Sequence, residues 1–167
     1  AMAFGHVILK EFHVDSPSSY FTDYVRRYTD MPMLVLLEEQ DGKLAKGRFL
    51  RAADLIDNLG EANNPDWKTI GVKQDGSLTS PNGAIGYRWG QNTDQVGKWN
   101  LEQKDKDGDV ELKLSLIDAH DAIAEVAFPY FGGAPHEYKY FQHTEHDEVQ
   151  IRRIPVRKVQ LKDGTEA

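Results

Sequence analysis

The chain has 167 residues, a formal charge of −7 and no cysteine, with 40% apolar and 10% aromatic side chains. That length and composition suit one globular domain with its own core. The acidic balance argues against nucleic acid as a partner, since a non-specific nucleic-acid binder needs a basic field to displace phosphate counterions, and the missing cysteines exclude disulfides, thiolate metal sites and a thiol nucleophile within this chain.

The opening AMAFGHVILKEF spaces its apolar residues for a helix, although nothing precedes Ala1 to cap it, so the chain reads as cut from something longer. Ser16 before Pro17 reads as an N-cap and first-turn pair. Tyr20, Phe21, Tyr24, Val25 and Tyr28 then recur as a helical stripe, and Pro32 bars continuation. Arg26-Arg27 and the apolar run Met31–Leu37 have the outline of a twin-arginine export signal. Their internal position and the abrupt Glu38-Glu39 end reject it. No run approaches the length of a membrane-spanning helix.

From residue 33 the period changes. Met33–Glu38 and Leu44–Leu50 around Asp41-Gly42 predict a hairpin. Ala52–Leu59 reads as a short helical turn ended by Gly60, and Trp67–Lys73 as a strand turning at Asp75-Gly76 into Ser77–Thr79. Ala84–Trp89 is a short strand or extended loop. Lys98–Gln103 and Val110–Ile117 predict a further hairpin joined by Lys104–Asp109. Asp118–Ala127 is ambiguous, and Phe128–Gly133 reads as an aromatic loop. Glu148–Arg153 and Val156–Leu161 read as strands split by Pro155, which points to a sheet edge or a bulge. The fold class is α+β, two N-terminal helices followed by a β-rich region of antiparallel hairpins. It is organised as a single domain over 1–167, helical over 1–30 and mainly hairpins and loops over 31–167.

Few groupings could carry chemistry. His143, Glu145, His146, Asp147 and Glu148 are dense in metal-capable side chains, but they lack a metalloprotease spacing and read as a solvated loop. Asp105, Asp107, Asp109 and Glu111 alternate like a calcium loop. The glycine is misplaced, however, and position twelve is Leu116, so an acidic hairpin turn is the better reading. His6 and His120 have no obvious nucleophile beside them. Gly83, Gly86 and Gly90 miss the dinucleotide-binding spacing, and Phe131-Gly132-Gly133 suits a tight turn. No catalytic, cofactor-binding or metal-ligating residue is therefore assigned.

RRYTDMPMLVLLEE (26–39), GRFLRAADLIDNLGEANNPDWKTI (47–70), PNGAIGYRWG (81–90), GKWNLEQKD (97–105) and AEVAFPYFGG (124–133) come in that order. Together with AMAFGHVILKEF and the closing IPVRKVQLKDGTEA, they resemble an internal segment of the catalytic α subunit of membrane-bound respiratory nitrate reductase, a molybdopterin oxidoreductase. The resemblance implies a parent enzyme that reduces nitrate to nitrite in anaerobic respiration. That parent would use a molybdenum bis(guanylyl-pterin) cofactor and one [4Fe–4S] cluster. It implies an iron–sulfur β subunit fed through a cytochrome b membrane anchor by quinol, and a place at the cytoplasmic face of the inner membrane. The family's cluster motif of one His and three Cys, and its molybdenum-ligating Asp, do not occur here. The fragment is then expected to hold no cofactor and to be inactive alone.

Three alternatives accompany this reading. One is the related nitrite oxidation. Another is a non-catalytic scaffold or docking domain, which would meet the rest of the subunit or the iron–sulfur partner through Tyr87, Trp89, Trp99, Tyr130, Phe131, Tyr138, Tyr140 and Phe141. The last is a metal module built on His143 and His146.

Overall fold

The computed structural model describes residues 2–81, 104–129 and 149–167. Helix α1 spans Met2–Leu9 and runs on into a π-helical turn, Lys10–Asp15. Helix α2 spans Ser19–Tyr28. The two expected helices are present, but the cap lies two residues later than Ser16. Ser18 holds the extended cap conformation, and its Oγ accepts from the Phe21 N–H at 3.2 Å. The π-helical turn carries the chain through Ser16, whose N–H donates to the Glu11 carbonyl instead. The α2 stripe is only partly buried. Val25 is 2% exposed, whereas Tyr20, Tyr24 and Tyr28 face outward, the last two stacked with centroids 4.9 Å apart.

Strands β1 (Val35–Gln40) and β2 (Lys43–Phe49) form the expected hairpin. Asp41 and Gly42 both take positive φ, 51° and 72°, the turn geometry that matches strand twist. The register shifts between Val35 and Leu37, setting Gly47 and Arg48 opposite Leu36 as a bulge. Next come 3-10 turns at Ala52–Asp54, Ile56–Gly60 and Pro65–Trp67. The predicted short helix at 52–59 is thus two tight turns. Asp57, Asn58 and Leu59 have φ near +50°, so a right-handed helix cannot pass through them.

The expected strand Trp67–Lys73 shrinks to β3, Gly71–Val72, paired with β4, Leu78–Thr79. Pro65 starts a helical turn that includes Trp67 and leaves it 86% exposed. Residues 69–70 still run beside the core through an Arg51–Thr69 bridge and the Leu34 N–H to Ile70 carbonyl bond. Of the hairpin expected from Lys98 to Ile117, the arm Lys98–Gln103 lies outside the described residues, and the joining stretch holds the short pair β5 (Lys104–Asp105) and β6 (Gly108–Asp109). Beyond β6 the chain leaves that hairpin. Leu112 bridges Lys73, and the Lys113 N–H donates to the Val72 carbonyl.

Strand β7 is Ala122–Pro129 and β8 is Val149–Val156. Phe128 and Pro129 are therefore strand residues, not the start of a loop. β8 runs straight through Pro155, the position that read as a break. It lies at the end of the order β1-β2-β7-β8 and pairs with β7, so a residue without an N–H is tolerated there. β2 and β7 pair in parallel through Leu44–Val126 and Ala45–Ala127, and the other strand pairs are antiparallel. The second strand expected, Val156–Leu161, is not formed: β8 ends at Val156. Asp121 accepts the Lys158 N–H at 2.8 Å and turns the chain away. The last residues then close on themselves, with Val159 and Ala167 exchanging backbone bonds.

Leu50, Ala52, Leu55, Ile70 and Val159 make the core, with Leu34, Leu36, Leu59, Leu78 and Leu161 packed against it. The α+β class holds. Among the described residues, no helix is long and apolar enough to cross a membrane.

Candidate functional site

Among the described residues, one carboxylate of the acidic turn is buried. β5 carries Asp105 inward beside β4, and its side chain is 3% exposed. Lys73, just after β3, places Nζ 2.6 Å from Asp105 Oδ2, and Thr79 Oγ1 donates to the same oxygen at 2.8 Å. The backbone N–H groups of Asp107 and Gly108 donate to Oδ1 at 2.9 and 3.1 Å, which closes the hairpin turn. Burial alone would raise the Asp105 pKa. The bonds from Lys73, Thr79 and the Asp107 N–H outweigh it and hold the carboxyl at about 2. Its partner Lys73 is raised, chiefly by the bond to Asp105.

This arrangement fixes what Asp105 can do. A carboxylate held near 2 stays ionised at neutral pH, so it is a poor general acid, and its lone pairs are already directed at donors. The cluster ties the β3–β4 and β5–β6 hairpins together. A comparable clamp holds the core's other flank. The Arg48 guanidinium donates to both Asp54 oxygens, at 2.6 and 2.7 Å, and the Arg51 N–H adds a third bond at 2.8 Å. Arg48 keeps the Asp54 carboxyl below its usual range.

Two clefts lie among the described residues, the first beside the Asp105 cluster. One, of about 230 Å³, is lined by Lys73, Ser77, Thr79, Ser80, Lys106 and Asp107 among others. The other, of about 360 Å³, lies between α2 and residues 113–118, with Arg26, Gln74, Lys113 and Asp118 on its walls. Several of their cations already have partners: Lys73 meets Asp105, and Lys106 donates to the Leu59 carbonyl at 3.3 Å. Arg26 meets Glu111 at 2.5 Å and Lys113 meets Asp118 at 2.8 Å. The hydroxyls on the first cleft's wall that reach a carboxylate, Ser77 to Asp75 at 2.6 Å and Thr79 to Asp105 at 2.8 Å, serve to close a turn and to join the hairpins.

Of the acidic run, Asp105 points inward while Asp107, Asp109 and Glu111 are exposed, so the four do not converge on one ion. Among the described residues, no group of three or more His, Asp or Glu side chains is placed to hold a metal. His120 is pinned through Nδ1 to the carbonyls of Ile117 and Leu116, at 2.8 and 3.2 Å. His143, Glu145, His146, Asp147 and Glu148 lie outside the described residues, as do Gly83, Gly86, Gly90 and Phe131–Gly133. So do the candidate docking aromatics Tyr87, Trp89, Trp99, Tyr130, Phe131, Tyr138, Tyr140 and Phe141. The sequence reading recognised the acidic turn but not the burial of Asp105. The available signal was an Asp two residues ahead of an Asp-Gly pair, which favours a side-chain-closed turn.

Comparison with known proteins gives the site its setting. No family model matches the chain. The whole chain aligns at 57% identity over 169 residues with the respiratory nitrate reductase 1 alpha chain of Escherichia coli K12, covering 13% of that protein. The chain matches a segment of respiratory nitrate reductase alpha chains. The respiratory nitrate reductase 2 alpha chain of the same organism is 54% identical over 98% of this chain, again 13% of its own length. The nitrate reductase alpha chain of Bacillus subtilis is 36% identical over 96% of this chain and 12% of its own. The chain therefore spans about an eighth of the length of these nitrate reductase relatives.

Proposed function

We propose that this chain is a structural segment of a respiratory nitrate reductase alpha chain, and that the parent reduces nitrate to nitrite in anaerobic respiration. The observation that carries the reading is 57% identity along the entire chain to a protein of that name. The parent's molybdenum cofactor, its [4Fe–4S] cluster, its iron–sulfur and cytochrome b partners, its quinol-derived electrons and its place at the cytoplasmic face of the inner membrane belong to the same proposal.

Among the described residues, no group of three or more His, Asp or Glu side chains is placed to hold a metal. A cluster needs thiolates, and the chain has no cysteine. The buried carboxylate, Asp105, has its oxygens turned to Lys73, Thr79 and two backbone N–H groups, so it is not a vacant ligand. We assign no reaction step to this segment. Its role is to build framework through the two clamps, in keeping with the scaffold reading.

The test is viologen-linked nitrate reduction with metal analysis, on the purified 167-residue chain and on the parent alpha chain that contains it. The parent is expected to hold molybdenum and turn over nitrate, and the chain alone to do neither. A parent without nitrate turnover, or a chain with it, overturns the proposal.

A further inference from the structure

Helix α1 presents apolar side chains without a polar face. Phe4 is 71% exposed, and Val7, Leu9, Phe12 and Val14, on α1 and its π-helical continuation, are 42–68% exposed. Helical neighbours are about 100° apart, so consecutive apolar residues cover the whole circumference. The sequence of α1 is MAFGHVIL, in which His6 is the single polar side chain. A helix that is apolar all round is a buried helix, yet this one meets the remainder of the described structure mainly at its C-terminal end. There Phe12 meets Phe21 of α2 with ring centroids 6.1 Å apart.

The shape of the problem selects the occupant. α1 has 8 residues, about 12 Å of helix, too short to cross a bilayer. A helix lying on a membrane surface needs a cationic polar face; α1 has only His6, and Lys10 of its continuation is paired with Asp15 at 2.5 Å. A second copy packed about a two-fold axis covers one side of the helix and leaves the other wet. Enclosure on all sides is what a protein interior provides. The matched relatives extend far beyond this chain, which aligns with 13% of the E. coli protein. We infer that α1 is an interior helix of the parent alpha chain. The rest of that polypeptide closes an apolar socket around Phe4, Val7, Leu9 and Phe12. The inference rests on the functional reading above for the identity of that polypeptide. The contrast with α2 supports it, since α2 buries Val25 and half-buries Phe21 against its own neighbours and leaves its polar side to Asp23 and Arg27, paired at 2.9 Å.

Amide hydrogen exchange of peptides covering residues 4–14, in the purified parent alpha chain and in the 167-residue chain, tests the socket. Nitrate turnover is measured on the same parent preparation. Exchange in the parent is expected to be slower by about 100-fold or more, and Phe4→Ser in the parent to return it toward the rate in the short chain. A parent that reduces nitrate yet exchanges these amides as fast as the short chain overturns the socket and leaves the functional reading standing. Protection without nitrate turnover does the reverse. Protection of the short chain that grows with its own concentration, or with added phosphatidylcholine–phosphatidylglycerol vesicles, assigns the helix to a second copy or a membrane surface and also overturns the socket.

Discussion

Replacing Asp105 with Asn keeps the shape of the buried side chain and removes its charge. The magnitude follows from two routes. A carboxyl held at about 2 against an ordinary 3.8 corresponds to about 2 kcal/mol of folding free energy at neutral pH. Counting contacts, hydrogen bonds to a charged group are each worth about 1.5–3 kcal/mol. Breaking a fully buried ion pair reaches about 3–5 kcal/mol. Lys73 retains 25% exposure of its side chain, so it can turn toward water when its partner is lost, and the lower part of that range applies. We expect Asp105→Asn to cost about 2–3 kcal/mol at pH 7, read by urea unfolding with an unchanged m-value. The pH dependence carries the sign. Because the folded carboxyl is depressed, its contribution is complete above the unfolded pKa near 4 and is lost as pH falls through about 2. The gap between parent and variant should therefore close between pH 4 and pH 2. A variant within about 0.5 kcal/mol of the parent at pH 7, or a gap that stays constant over that acid range, would refute the clamp.

Three further outcomes are expected from the packing. Leu50 is 1% exposed in the centre of the core, so Leu50→Ala should lower unfolding free energy by about 2–5 kcal/mol. Gly71→Ala would set a methyl group 3.0 Å from Leu112 Cδ2 and 3.3 Å from the Pro32 carbonyl, and should cost about 1–3 kcal/mol in the same assay. Ser18→Ala removes the cap on the Phe21 N–H. A loss of about 1 kcal/mol should appear as faster amide exchange confined to the first turn of α2.

What could be read from the sequence was local. The β1–β2 hairpin follows from alternation around Asp41-Gly42, and Pro155 correctly marked β8 as an edge. The α+β class followed from the change of period near residue 33. The errors share a cause, since distant partners overrode local pattern. Val110–Ile117 alternates like a strand, and Leu112 bridges Lys73, a distant partner that spacing does not indicate; its expected partner Lys98–Gln103 lies outside the described residues. Val156–Leu161 alternates too, yet Asp121 takes the Lys158 N–H and ends the strand. Ser16-Pro17 had the composition of a cap, and Ser18 is the residue in extended conformation one step before the helix. The Asp105 cluster was beyond local reading, because Lys73 and Thr79 are brought to it by the pairing of β3 with β4 and not by spacing.

The parallel seam between β2 and β7 bears on how the chain reaches this structure. β2 ends at Phe49 and β7 begins at Ala122, so residues 50–121 all lie between two neighbouring strands. The β1–β2 hairpin closes over a two-residue turn and can form early. Joining β2 to β7 must first draw together the ends of that long intervening loop, at the register Leu44–Val126 and Ala45–Ala127. Loop-closure entropy sets such a step late and makes it slow. Until it occurs, the inner edge of each strand is open and able to pair with another chain. The seam is thus the place where folding rate and the risk of misassembly are decided together. The fully buried Val126 is the side chain through which a substitution would alter both.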